Sequence, residues 1–220
     1  MDRIYLDVDG VLNAYWYSGW VQDDGGVPGV PKWAVGEASD WKQAVVDGYV
    51  MTWRPALVEQ LNNLVADGLG EIVWLTTWGS RAADVVDGIA GVMGLGEWRA
   101  LKSREEFWTD VEGPVDYGSG VVWPTDYHSN AVVGGAESET SLHGDVWWKT
   151  IELARDLSEN PLGGGGGRVI WVDDDLGVAE LAVLRAGLVG GPSEGVEVVR
   201  VCPREPWGLQ IEDVLGAISM

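Results

Sequence analysis

RIYLDVDGVLN, residues 3–13, runs an apolar stretch into two aspartates and a glycine. Arg3 to Val8 reads as a strand, with apolar residues at both parities, the pattern of a strand covered on both faces. Side chains two apart in an extended chain share a face, so Asp7 and Asp9 can address one site, and Gly10 permits the tight turn that must follow. In an open parallel sheet the carboxyl ends of the strands face one crevice, where ligands bind at the switch in strand order.

The rest of the chain repeats this grammar. Short runs rich in Val, Ile and Trp alternate with segments of helical period. A helix is expected from Pro55, with Leu57, Val58, Leu61, Leu64 and Val65 as its apolar stripe, stopped by Gly68 and Gly70. A strand at Glu71 to Thr76 and a helix at about Ser80 to Val92 follow. A helix from about Asp145, as N-cap, to Leu157 comes next. Strand Arg168 to Asp173, helix Gly177 to Arg185, strand Val196 to Val201 and helix Leu209 to Ile218 complete the series. The fold class is α/β: a three-layer, Rossmann-like parallel sheet with helices on both faces, in one domain over residues 1–220.

Two intervals break the alternation. Residues 13–50 and 102–144 are far longer than ordinary βα loops and read as insertions, the first a cap or flap, the second without assignable structure. Trp41 to Trp53 alternates in part, as a β-hairpin would. Gly163 to Gly167 reads as a connector, because no Lys-Ser/Thr follows and a strand comes next, unlike a phosphate-cradling loop.

Composition narrows the function. The 220 residues carry 14 Lys+Arg against 35 Asp+Glu, a formal charge of −21, and only Arg99, Lys102 and Arg104 lie close together. An extended nucleic-acid surface is excluded on that ground. Cys202 is the sole cysteine and there are two histidines, so any metal should be a hard cation held by carboxylates. Charges within the first apolar run argue against a leader or a membrane span, so a cytoplasmic setting is expected. Fourteen tryptophans and one phenylalanine predict a core built largely on indoles.

The chemistry-bearing residues fall at predicted strand ends: Asp7 and Asp9 after the first strand, Thr76 and Thr77 after the second, and Asp173, Asp174 and Asp175 after Val172. Lys149 stands near the start of the helix at 145–157. A single strand-end Asp only caps a turn, but separate segments contributing Asp, Thr and Lys converge on one crevice. Five carboxylates there repel one another unless a cation lies among them, and an oxygen-rich site implies Mg²⁺. These parts suit phosphoryl transfer through an aspartyl phosphate, with Asp7 as nucleophile and Asp9 as acid and base.

The segments LDVDGVLN (6–13), WLTTW (74–78), WWKTI (147–151) and VIWVDDD (169–175), in that order, resemble the haloacid-dehalogenase-like (HAD) superfamily of phosphohydrolases. The wording is most similar to HAD phosphatase domains of RNA-repair proteins and of phage polynucleotide kinase-phosphatase, with deoxyribonucleotidases a second neighbour. The resemblance implies Asp7 as nucleophile and Asp9 as the acid/base that also gives a backbone carbonyl to Mg²⁺. It further implies Thr76 as phosphate-binding hydroxyl, Lys149 as the cation steadying the phospho-aspartate, and Asp174 as a metal ligand beside Asp173. Asp7, Asp9, Asp173 and Asp174 are thus the candidate metal set. Asp175 departs from the commonest D-D pattern.

Thr77, Trp78, Arg54 and Arg81 are candidates for substrate binding: a second hydroxyl, an indole to stack on a base, and two guanidiniums to clamp a phosphate. Each Arg reads equally well as solvated surface. Trp16 and Trp20 also border the crevice, while His128 and His143 read as ordinary loop histidines. The expected activity is that of a phosphomonoesterase on a nucleotide or a terminal phosphate of a short nucleic acid, with another small phosphorylated metabolite as the alternative. A phospho-accepting signalling module is disfavoured by motif order, since receivers place an acidic pair first and the acceptor Asp later. A silent binding module finds no support while Asp7 and Asp9 are both present.

Overall fold

A computed structural model describes residues 1–14, 40–46, 49–77, 85–96, 98–102, 115–116, 122–123, 144–162, 167–174, 176–188, 191–203 and 209–219. A five-stranded parallel sheet organises them. Its strands are β1 (Asp2–Leu6), β4 (Gly70–Trp74), β5 (Arg99–Ala100), β8 (Val169–Val172) and β9 (Val198–Val201), in the spatial order β5-β4-β1-β8-β9. β2 (Lys42–Val46) and β3 (Tyr49–Trp53) form an antiparallel hairpin, and β6 (Val115–Asp116) pairs with β7 (Val122–Trp123). The helices are α1 (Pro55–Ala66), α2 (a π-helical stretch Val85–Ala90 continued by Gly91–Met93), α3 (Gly144–Glu159), α4 (Val178–Leu188) and α5 (Ile211–Ser219).

Strand parity divides the core in two. Ile4 and Leu6, Ile72 and Trp74, and Ile170 and Val172 pack with Leu57, Leu61 and Leu64 of α1, Ile89 of α2 and Val214 of α5. Tyr5, Val73, Val169 and Trp171 pack on the other face with Trp148, Ile151 and Leu157 of α3 and Leu181, Leu184 and Leu188 of α4. The α/β expectation with both faces covered is therefore met. Trp74, Trp148 and Trp171 are among the largest fully buried side chains, as the scarcity of Phe requires.

Local chemistry sets the boundaries. Pro55 opens α1 and Gly68, at φ 68°, closes it: Gly68 N–H donates to Val65 O and Leu69 N–H to Leu64 O, a Schellman ending. β1, β4 and β8 stop one or two residues short of the expected ends at Val8, Thr76 and Asp173. α3 begins at Gly144, so Asp145 lies inside the helix rather than at its cap. Of the helix expected from Ser80, residues 80–84 lie outside the described set, and what is described starts as a π-helix. The hairpin expected over 41–53 is present and ends at Trp53, three residues past the 13–50 interval.

β1 leads through the hairpin and α1 to β4 on one side, whereas the later strand β8 pairs on the other. The strand order therefore reverses at β1, which puts the crevice of an open α/β sheet at the carboxyl ends of β1 and β8. Among the described residues no helix is long and apolar enough to cross a membrane.

Candidate functional site

Parity also aims the site. Asp7 continues the face of Tyr5, and Asp173 continues the face of Val169 and Trp171, both toward α3. Each keeps the ladder for one more bond, Asp7 N–H to Val172 O at 3.1 Å and Asp173 N–H to Val201 O at 3.1 Å. Lys149 enters from α3, and its Nζ donates to Asp7 Oδ2 at 2.7 Å and to Asp173 Oδ2 at 2.7 Å. All three are buried, Asp173 completely. Burial alone would make the ammonium easier to deprotonate, but Asp173 and then Asp7 overcome that and raise the Lys149 pKa. Asp7 Oδ1 accepts from Val8 N–H at 2.7 Å.

Asp174 completes a carboxylate group. One oxygen each from Asp7, Asp173 and Asp174 lies within 4.8 Å of the others. If all three are ionised, Lys149 leaves two negative charges in the group, which matches one divalent cation, and the all-oxygen donor set suits a hard ion such as Mg²⁺. Asp174 is the less buried of the Asp173–Asp174 pair, and Asp173 Oδ2 is already committed to Lys149. Cys202 Sγ donates to Asp174 O at 3.1 Å.

Gly10 is part of this geometry. Its φ is 65°, and a Cβ placed there would stand 2.0 Å from Asp174 Oδ2. The turn from the sequence reading is thus joined by a second reason for glycine: the Asp174 carboxylate occupies the space a side chain would take.

Asp9 stands apart from the three grouped carboxylates. After Asp7 the chain turns, with Val11, Leu12 and Asn13 N–H all donating to Val8 O. Asn13 Nδ2 then donates to Asp9 Oδ1 at 2.9 Å. The Asp9 carboxylate is thus held on the Asn13 side of the turn and is not one of the three that come together.

The other candidates are placed as follows. Thr76 is buried two residues past β4 and Thr77 is exposed. Arg54 precedes α1 with its guanidinium 5.8 Å from the centroid of the Trp41 ring, at the foot of the hairpin. Trp78, Arg81, Asp175, Trp16, Trp20, His128 and His143 lie outside the described residues.

Sequence reasoning missed Asn13, whose only signal is an amide four residues after Asp9 at the mouth of a turn. It also missed a polar cluster built on the buried Asp156. Asp156 of α3 accepts from Tyr5 Oη at 2.6 Å and from Arg99 Nη1 and Nη2 at 2.5 and 2.9 Å, while Arg3 Nε donates to Glu71 at 2.8 Å. Burial would raise the Asp156 pKa, yet hydrogen bonds from Arg99 and Tyr5 lower it overall. Arg99, though partly exposed, is paired with Asp156 and Glu71. Between Lys149 and Asp156, burial pushes the Glu152 carboxyl up to about 7 against the pull of Arg155 and Lys102.

Neither the family models, nor the curated proteins, nor the solved structures give a match to this chain.

Proposed function

We propose that the chain is a Mg²⁺-dependent phosphomonoesterase of the HAD type, acting through an aspartyl phosphate on Asp7. The observation that carries this reading is the Lys149 ammonium, held at 2.7 Å from both Asp7 and Asp173 where the strand order reverses. An acidic crevice with one buried cation held between two carboxylates suits attack on a phosphate better than simple cation storage.

In this reading an Asp7 carboxylate oxygen attacks phosphorus and the bond to the leaving oxygen breaks, while Asp9 gives that oxygen its proton. Water then attacks the phosphorus and loses a proton to Asp9, and Asp7 is released as a carboxylate. Lys149 faces the negative oxygens of the transferred group, and the Thr76 hydroxyl is the further donor. Asp7, Asp173 and Asp174 would hold Mg²⁺ together with the Asp9 backbone carbonyl; when bound, the ion supplies charge neutralisation and Lewis-acid polarisation of the phosphoryl oxygens.

The substrate we infer is a nucleotide or the phosphorylated end of a short nucleic acid, with Thr77, Trp78, Arg54 and Arg81 as its contacts. The charge of −21 favours a compact substrate, since a long polyanion is repelled outside the site. The same observation keeps another small phosphorylated metabolite as the second reading. A panel of free mononucleotides, 3′- and 5′-phosphorylated oligonucleotides and sugar phosphates, assayed with Mg²⁺ and with EDTA, tests both. Turnover confined to sugar phosphates removes the nucleotide reading, and turnover that persists in EDTA removes the metal.

A further inference from the structure

The Asn13 side chain is buried and carries one bond at each end. Its Oδ1 accepts from Thr52 N–H of β3 at 2.9 Å, and its Nδ2 donates to Asp9 Oδ1 at 2.9 Å. The Thr52 N–H can only donate, so the amide has one orientation: oxygen toward the hairpin, nitrogen toward Asp9. The same two strands of chain are tied a second time, by Ala14 N–H to Thr52 O at 2.9 Å. The turn itself is pinned by the three bonds to Val8 O and by Leu209 N–H to Val11 O at 2.8 Å.

From this geometry we propose that Asn13 is a positioning residue for Asp9, referencing its carboxylate to the β2–β3 hairpin; the proposal rests on the phosphatase reading above. Asp9 lies past the end of β1 in a turn, bridged to Asn13 through the backbone. With Nδ2 holding Oδ1, the Asp9 carboxylate is referenced to the Asn13 amide and through it to Thr52 of β3. A carboxyl group that protonates a leaving oxygen must sit within hydrogen-bond reach of it, and a small misplacement costs rate. The hairpin is thereby more than a cover: its backbone fixes the amide that fixes the acid.

Leaving-group dependence separates positioning from simple structural support. A good leaving group such as p-nitrophenolate departs without a proton, whereas an alkoxide needs one. On kcat/KM, which reports steps up to formation of the phospho-aspartate, Asn13→Ala and Asn13→Asp should slow an alkyl phosphate about tenfold or more while changing p-nitrophenyl phosphate less than about threefold. Asn13→Asp keeps an acceptor for Thr52 N–H and replaces the donor to Asp9 with a second carboxyl oxygen, so it tests the bond if the alanine variant folds poorly, with the added like charge read separately as a shift in the pH–rate profile. In an Asp9→Asn background the Asn13 substitutions should have no further leaving-group effect.

Equal losses on both substrates, or a full Asn13 effect persisting without the Asp9 carboxyl, would overturn the positioning role while leaving the phosphatase reading intact. Failure of the wild-type chain to turn over either substrate in an Asp7-dependent way would overturn both.

Discussion

The Asp174 carboxylate lies in the space that a side chain on residue 10 would fill, 2.0 Å from the position of a Gly10 Cβ. Gly10→Ala therefore does two things. It places a Cβ at φ 65°, at a cost of about 1–2 kcal/mol, and it drives Asp174 out of the carboxylate group. The Mg²⁺ concentration for half-maximal turnover should rise about ten- to a hundredfold, the usual scale for disturbing the support of a metal ligand. An unchanged midpoint in a folded Gly10→Ala protein would separate Asp174 from metal binding.

Lys149 separates two buried carboxylates. Replacing it with Met leaves Asp7 and Asp173 facing each other without a cation, which should destabilise the metal-free protein by about 3–5 kcal/mol in urea denaturation. Mg²⁺ should restore part of that loss, because it supplies the missing charge, but turnover should stay at least about a hundredfold down. Lys149→Met with wild-type stability in EDTA would contradict the charge balance described for the site.

Glu152 gives a pH signature. Its pKa is raised to about 7 in the fold from an ordinary 4.5, so the folded state binds the proton more tightly than the unfolded one. Stability therefore falls as pH rises through this window, by on the order of 3 kcal/mol in total, and the penalty is complete above about pH 7. Glu152→Gln should raise the melting temperature at pH 8 and change it little at pH 5. Equal shifts at both pH values would mean that the charge of Glu152 is not what the substitution relieves.

Asp156 has the opposite sign. Its folded pKa is lowered by its partners, so its contribution is present above the unfolded value and is lost as pH falls through the folded one. Asp156→Ala leaves the buried Tyr5 hydroxyl without its acceptor and takes one partner from each of Arg3 and Arg99, which keep Glu71, at a cost of about 1–3 kcal/mol near neutral pH. Denaturation of the variant with a loss under 1 kcal/mol would show that water replaces the carboxylate there.

What the sequence discloses and what it conceals follow from the range of the interactions. Asp7, Lys149 and Asp173 stand out because rare chemistry recurs at strand ends, and strand parity alone turns both aspartates toward α3. The central strands are legible from their apolar runs, whereas Arg99–Ala100 is too short for any period to reveal it. The Tyr5–Asp156 bond joins residues 151 apart, and the Gly10–Asp174 contact joins two strand ends that become neighbours only once β1 and β8 pair. Asn13 is invisible for a similar reason: its partner on the hairpin, Thr52, lies 39 residues on. Strand ends were overrun by one or two residues because Asp7 and Asp173 keep a ladder bond while leaving the strand.

The central claim is a covalent phosphate on Asp7, and rapid acid quench of the protein turning over a radiolabelled aryl phosphate with Mg²⁺ tests it most directly. The label should be retained on the peptide containing Asp7, be released by hydroxylamine as an acyl phosphate is, and be absent from Asp7→Asn. Label on another residue, or label and turnover that survive Asp7→Asn, would contradict the account.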